Sequence, residues 1–121
     1  GIEVEGLNFW GSPVTPWFHD WAFNRFDKEI GYHWNLIPEN TNVLITHGPP
    51  HLTLDSTKSG LRVGCPILAE KISKLSNLKI HVFGHIHEAA GIVEKNGVIY
   101  VNASTLDLYY DVKNSPIILS I

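Results

Sequence analysis

Residues 78–88, Leu78-Lys79-Ile80-His81-Val82-Phe83-Gly84-His85-Ile86-His87-Glu88, decide how this chain is read. Ile80, Val82 and Phe83 make a short apolar run rich in β-branched and aromatic side chains, the composition of a strand buried within a sheet. Gly84 gives the backbone freedom to leave that strand, and the imidazoles of His85 and His87 follow at once. Upstream, Val43-Leu44-Ile45-Thr46 is a second such run; it ends at His47 and turns through Gly48-Pro49-Pro50, a pair of prolines that stiffens the turn. Between the two runs, residues 66–75 place Ile67, Leu68, Ile72 and Leu75 on one side of a helix and Glu70, Lys71 and Lys74 on the other. Strand 42–46, helix 66–75 and strand 78–83 form a βαβ crossover, which makes the strands parallel and brings both histidine segments to one sheet edge. Neutral imidazole is a common ligand for divalent metals, and open α/β sheets place ligand sites beyond the carboxyl ends of their strands. His47, His85 and His87 are therefore the candidate metal ligands. Past Gly84 the chain bends, so residues 85 and 87 either face one way, as alternate strand residues do, or splay toward two neighbouring ions.

Working outward, Leu7-Asn8-Phe9-Trp10 reads as a strand that stops at Gly11-Ser12-Pro13. Residues 16–34 carry Trp17, Phe18, Trp21 and Ala22 at helical spacing behind Pro16; the reading is an aromatic-rich helix whose stripe belongs to the core. The helix would hold His19 and His33, and His81 would sit inside a strand, all three in structural roles. Residues 50–63 lack apolar periodicity and form a long loop next to the His47 turn, the kind of loop that often serves a site. His51, Asp55, Ser56 and Ser59 there could reach a substrate, with Lys58 and Arg62 the candidates for a phosphate oxygen. Downstream, Lys95-Asn96-Gly97 separates two alternating runs and signals a hairpin. Residues 116–121 read as a final apolar strand closing a second sheet. Asn8 and Asn102, beside strands, suit turn roles or the orientation of a ligating histidine, and Glu88 is a further candidate for that orientation. The whole reads as one α/β unit.

Thr46-His47-Gly48-Pro49-Pro50 followed by Gly84-His85-Ile86-His87 resembles the last two motifs of the calcineurin-like metallophosphoesterases. Trp10-Gly11-Ser12-Pro13, Gly64-Cys65 and Val101-Asn102-Ala103-Ser104 further resemble the small, brain-expressed metallophosphoesterase-domain subgroup. The resemblance covers nearly the whole chain and implies an α/β fold, part of a β-sandwich of mixed sheets flanked by helices. It also implies a phosphoric ester hydrolase using two divalent ions, Mn, Fe or Zn, with His47 and His85 on one and His87 on the other. Such a pair of ions polarises the phosphoryl group and generates hydroxide at neutral pH.

A complete member of that family opens with D-x-H, G-D-x-x-D and G-N-H-[DE], and none of these patterns is present. The expectation is thus that residues 1–121 are the C-terminal portion of such a domain. Three neutral nitrogens with no bridging carboxylate hold two dications poorly, so the chain alone should bind one metal weakly or none and be inactive. The missing ligands would come from a further segment or another chain. The alternative is an inactive descendant kept as a structural or interaction module.

Composition sets outer bounds. Nine Lys and Arg against twelve Asp and Glu give a net charge of -3, without the basic surplus that a nucleic-acid polymer requires, so a small phosphoester is the expected substrate. The one cysteine, Cys65, precludes an internal disulfide and a Cys-rich zinc site; at the start of a helix pattern its expected job is packing. No apolar run approaches the ~20 residues of a membrane span. The expected setting is soluble and intracellular, cytoplasmic or otherwise. At 121 residues without a methionine, the chain also reads as a section of something longer.

Overall fold

A computed structural model describes residues 1–121. Val43–Thr46 and Ile80–Phe83 are strands, here β5 and β6, and they pair in parallel with Val43 opposite Ile80 and Leu44 opposite His81. The crossover between them contains α2, Pro66–Ile72. Before β5 come β1 (Ile2–Val4), β2 (Leu7–Ser12), β3 (Thr15–Pro16), β4 (Asn24–Arg25) and α1 (Asp27–Trp34). After β6 come β7 (Gly91–Lys95) and β8 (Val98–Asn102). One six-stranded sheet runs β1-β2-β5-β6-β8-β7, its four inner strands parallel and its two edges antiparallel, while β3 and β4 pair separately over two residues each. The carboxyl ends of β2, β5, β6 and β8, at Ser12, Thr46, Phe83 and Asn102, therefore share one rim.

Both helices pack against one face of this sheet and against each other. Ile30 and Trp34 of α1 and Leu68 and Ile72 of α2 meet Leu44, Phe83 and Tyr100 in the core. Leaving water fully, as Ile30, Leu44 and Leu68 do, stabilises by about 1.5–3 kcal/mol per side chain. The opposite face is less covered: Ile45 keeps 46% of its surface and Ile92 49%. Cys65 caps α2, its Sγ accepting the Leu68 N–H and the indole N–H of Trp34, each at 3.4 Å, which ties the two helices together as well as packing them. Gly64 before it has no substitute, because a Cβ there would lie 2.3 Å from the Pro50 carbonyl oxygen. That contact seats the Pro49-Pro50 turn, whose Pro49 carbonyl accepts the Cys65 N–H at 3.0 Å, directly on the start of α2. The β7-β8 hairpin turns as expected through Asn96 and Gly97, both with positive φ, at 51° and 77°.

The mixed α/β architecture and the parallel crossover agree with the sequence. Four local readings do not. Residues 16–34 are not one helix: only Asp27–Trp34 is helical, and residues 17–23 form a turn-rich loop. His19 and Phe23 take left-handed backbone angles there, Asn24 is buried and bonds the loop's own carbonyls, and Trp17 stacks on Phe26 at 4.6 Å across the loop. Helical spacing of aromatics thus had no matching surface to bury against, and His19 lies on the loop. The helix begins where Asp27 and Glu29 favour its N-terminus. Residues 116–121 form no strand and pair with neither edge of the sheet, β1 or β7; Ile118 is 92% exposed. The helix read over 66–75 stops at Ile72, where the chain tightens into three-residue turns (Leu75 N–H to the Ile72 carbonyl, 3.0 Å) and the Ser73 hydroxyl donates to the Glu70 carbonyl at 2.7 Å. The first strand continues past Trp10 to Ser12, because Gly11 and Ser12 pair with Ile45 and Thr46.

Candidate metal centre

The rim gathers His47 and His85. Their rings lie 4.7 Å apart, and Nε2 of His47 is 3.1 Å from Nδ1 of His85. Two nitrogens bound to one ion at ~2.1 Å stand ~3.0–3.4 Å apart in octahedral or tetrahedral geometry, so the pair is spaced as neighbouring ligands would be. Both imidazoles favour the neutral, ligating form: desolvation lowers the pKa of each, and His85 is lowered further by the positive potentials of His47 and His87. His87 lines the same cavity as His85. Its Nδ1–H donates to the Asp107 carbonyl at 2.9 Å, which fixes the tautomer and leaves Nε2 with its lone pair.

Each histidine is held by a buried polar device. The Thr46 hydroxyl donates to the Gly48 carbonyl at 2.7 Å, pinning the turn that carries His47, and accepts from Nε2 of the fully buried His81 at 2.8 Å. Burial lowers the His81 pKa to about 3 and leaves its Nδ1 without a partner. On the other side, Asn102 is fully buried and uses its whole amide. Its Nδ2 donates to the carbonyls of Ile86 (2.8 Å) and Leu54 (3.2 Å), and its Oδ1 accepts from the Ser104 N–H (3.2 Å) and hydroxyl (2.8 Å). Asn102 therefore fastens the backbone between His85 and His87, rather than either ring, to the 50–63 loop. Gly84 is not the residue that takes the unusual dihedral: His85 itself does, with φ 72°, a conformation costing a β-carbon-bearing residue about 1–2 kcal/mol. Such strain is found where a side chain is held in place for use.

No family model matches the chain. Metallophosphoesterase domain-containing protein 1 of Homo sapiens is 41% identical over 122 residues, an alignment spanning 99% of this chain and 37% of that protein. A UPF0046 protein of Caenorhabditis elegans is 37% identical over 121 residues, spanning 99% of this chain and 31% of its own length. The chain is thus similar to metallophosphoesterase-domain proteins over nearly the whole of its own length. It spans about a third of the length of these curated relatives. A solved crystal structure superposes on 95% of this chain and 51% of its own, with a TM-score of 0.58 at 20% identity, a likeness of fold.

Within this chain, no three His, Cys, Asp or Glu side chains surround a common point. His47 and His85 are the two donors that meet at the rim, and no third joins them within residues 1–121. Arg62 is engaged elsewhere, donating to Oδ1 of Asp55 at 3.0 Å. That carboxylate is fully buried, where it organises the loop by accepting the Leu52 and Gly64 N–H groups and cannot touch a substrate. Lys58 is exposed and lines a neighbouring cavity that shares His87 and Glu88. Asn8 engages Asn42 through its backbone at the other end of β2, and His33 is taken up by the Ser12 hydroxyl, 2.6 Å from its Nε2. Sequence reasoning missed the aromatic side of the rim. Trp17, Phe18 and Trp21 join His85 and His87 around one cavity of about 470 Å³. A crowd of aromatics beside Gly11-Ser12-Pro13 was the available signal. No helix is long and apolar enough to cross a membrane.

Proposed function

We propose that this chain is the histidine-bearing, C-terminal portion of a metal-dependent phosphoric ester hydrolase acting on a small phosphoester, monoester or diester. The observation that carries the reading is the 3.1 Å approach of His47 Nε2 to His85 Nδ1 at the carboxyl ends of adjacent parallel strands. Those two atoms would hold one divalent ion, Mn, Fe or Zn, and the free Nε2 of His87 would serve a second whose other ligands lie on a segment or chain beyond these residues. A bound pair of ions would draw charge from the phosphoryl group and acidify water. The protein's own part is to hold the imidazoles neutral and immobile: the Thr46 hydroxyl fixes the His47 turn, the Asn102 amide fixes the backbone between His85 and His87, and Lys58 offers a cation at the cavity next to His87.

Titration of the purified chain with Mn2+ or Zn2+ by calorimetry tests this. One weak site is expected, lost in His85→Ala, with no hydrolysis of bis-p-nitrophenyl phosphate. Manganese-dependent turnover by residues 1–121 alone would overturn the claim that ligands are missing, and metal uptake unaffected by His85→Ala would overturn the site. A second reading is an inactive module derived from such a hydrolase. Adding the complementary portion of a full-length relative separates the two, since only a hydrolase regains turnover.

A further inference from the structure

We infer that Trp17, Phe18 and Trp21 form a recognition wall for a flat, uncharged aromatic group carried by the phosphoester, which deepens and rests on the phosphoester reading. These three side chains are 50%, 45% and 55% exposed, an arrangement that gains little from the hydrophobic effect. The loop that presents them is nevertheless built. Asn24, 8% exposed, donates through Nδ2 to the carbonyls of Phe18 and His19, both at 3.0 Å, and the Thr15 N–H donates to the Phe23 carbonyl at 3.2 Å. His19 and Phe23 hold left-handed backbone angles of 49° and 62°, a strained conformation for side chains of their size. Organisation and strain of this kind, ending in rings that stay half exposed beyond their contacts with one another, make sense if the rings meet something.

The orientation of the rings says what. Phe18 and Trp21 stand edge-on to His85, with centroids 5.8 and 6.2 Å from its ring and interplanar angles of 86° and 82°. They are also edge-to-face with each other at 5.2 Å. The cavity they border, about 470 Å³, falls in the size range of small-molecule sites, roughly 300–1,000 Å³. A ring laid on this wall would share the cavity with His85 and His87, so that a phosphoryl group joined to it through an ester oxygen would face those imidazoles. Aromatic pairs prefer stacked or edge-to-face contact, each worth about a threefold to tenfold gain in affinity beyond area alone. An alkyl phosphoester would leave the wall unused.

The test is tryptophan-fluorescence and NMR titration of the 121-residue chain with phenyl phosphate, methyl phosphate and phenol, each with and without Mn2+. Phenyl phosphate should bind about tenfold more tightly than methyl phosphate. The preference should vanish in Trp21→Leu and Phe18→Leu, with methyl phosphate affinity unchanged and the far-ultraviolet dichroism showing an intact fold. His85→Ala should remove the Mn2+-dependent part of phosphate binding and leave the response to phenol in place, so a failed metal site and a failed wall give different results. Equal affinities for the two phosphates, a preference that survives both leucine variants, or no binding of any of the three compounds would overturn the wall.

Discussion

The β5-α2-β6 crossover and the 17–26 loop face each other across the same rim, yet they are ordered by opposite means. In the crossover, order comes from burial and backbone pairing: Leu44, Leu68, His81 and Phe83 are all nearly without solvent contact, and neighbouring strands occupy both sides of β5 and β6. In the loop, order comes from one buried amide, two left-handed residues and ring-on-ring contacts, while the large side chains stay half exposed. The difference teaches that the rigid element fixes His47 and His85 and that the adaptable one supplies whatever surrounds them. Stability should therefore sit in the first and be nearly indifferent to the second.

The largest effect expected from this contrast is acid sensitivity centred on His81. Its folded pKa is about 3 against 6.5 for an unperturbed imidazole. A depressed histidine pKa means the unfolded chain binds the extra proton, so the stability is whole above pH 6.5 and is lost as pH falls from 6.5 toward 3. Urea unfolding at pH 4 should show about 3 kcal/mol less stability than at pH 7 from this group, at about 1.4 kcal/mol per pH unit. In His81→Phe, which fills the same volume, that slope should flatten; an unchanged slope would remove His81 from the account. Next comes Gly64→Ala, whose methyl group would meet the Pro50 carbonyl oxygen at 2.3 Å. Forcing those two backbones apart should cost about 3 kcal/mol in denaturant melts, in the range of overpacked cores.

His85→Gly sharpens the contrast from the rim side. Glycine accepts a φ of 72° freely, so this variant should be at least as stable as the parent, by up to about 1 kcal/mol, while its calorimetric Mn2+ or Zn2+ binding disappears. A loss of several kcal/mol would mean that His85 is part of the packing. The smallest effect belongs to Trp21→Leu, expected to shift the unfolding midpoint by no more than about 0.5 kcal/mol, as exposed sites do. A large loss there would make the loop a piece of the core and erase the distinction.

What was legible and what was not follow the same division. The residues 43–47 and 80–87 announce themselves because apolar runs of strand length joined by an amphipathic segment have one sensible chiral connection. Asn96-Gly97 was equally readable, since its turn is local chemistry. Trp17, Phe18 and Trp21 were misread because spacing alone cannot say whether a surface exists for a stripe to cover, and residues 116–121 because apolar sequence cannot reveal whether a sheet edge takes the segment up. Asn102 looked like a turn residue; two of its four hydrogen bonds join segments 16 and 48 residues away in the chain.

By itself, then, the sequence determined the parallel crossover and the two places where histidines leave it, because these rest on periodicity and on the handedness of chain connection. The tertiary structure alone decided that His47 and His85 come within 3.1 Å, that Arg62 is claimed by Asp55, and that the aromatic segment becomes a cavity wall. Those outcomes depend on which side chains from distant segments arrive at one rim and compete for the same hydrogen bonds and the same buried space, a quantity that no local window of sequence contains.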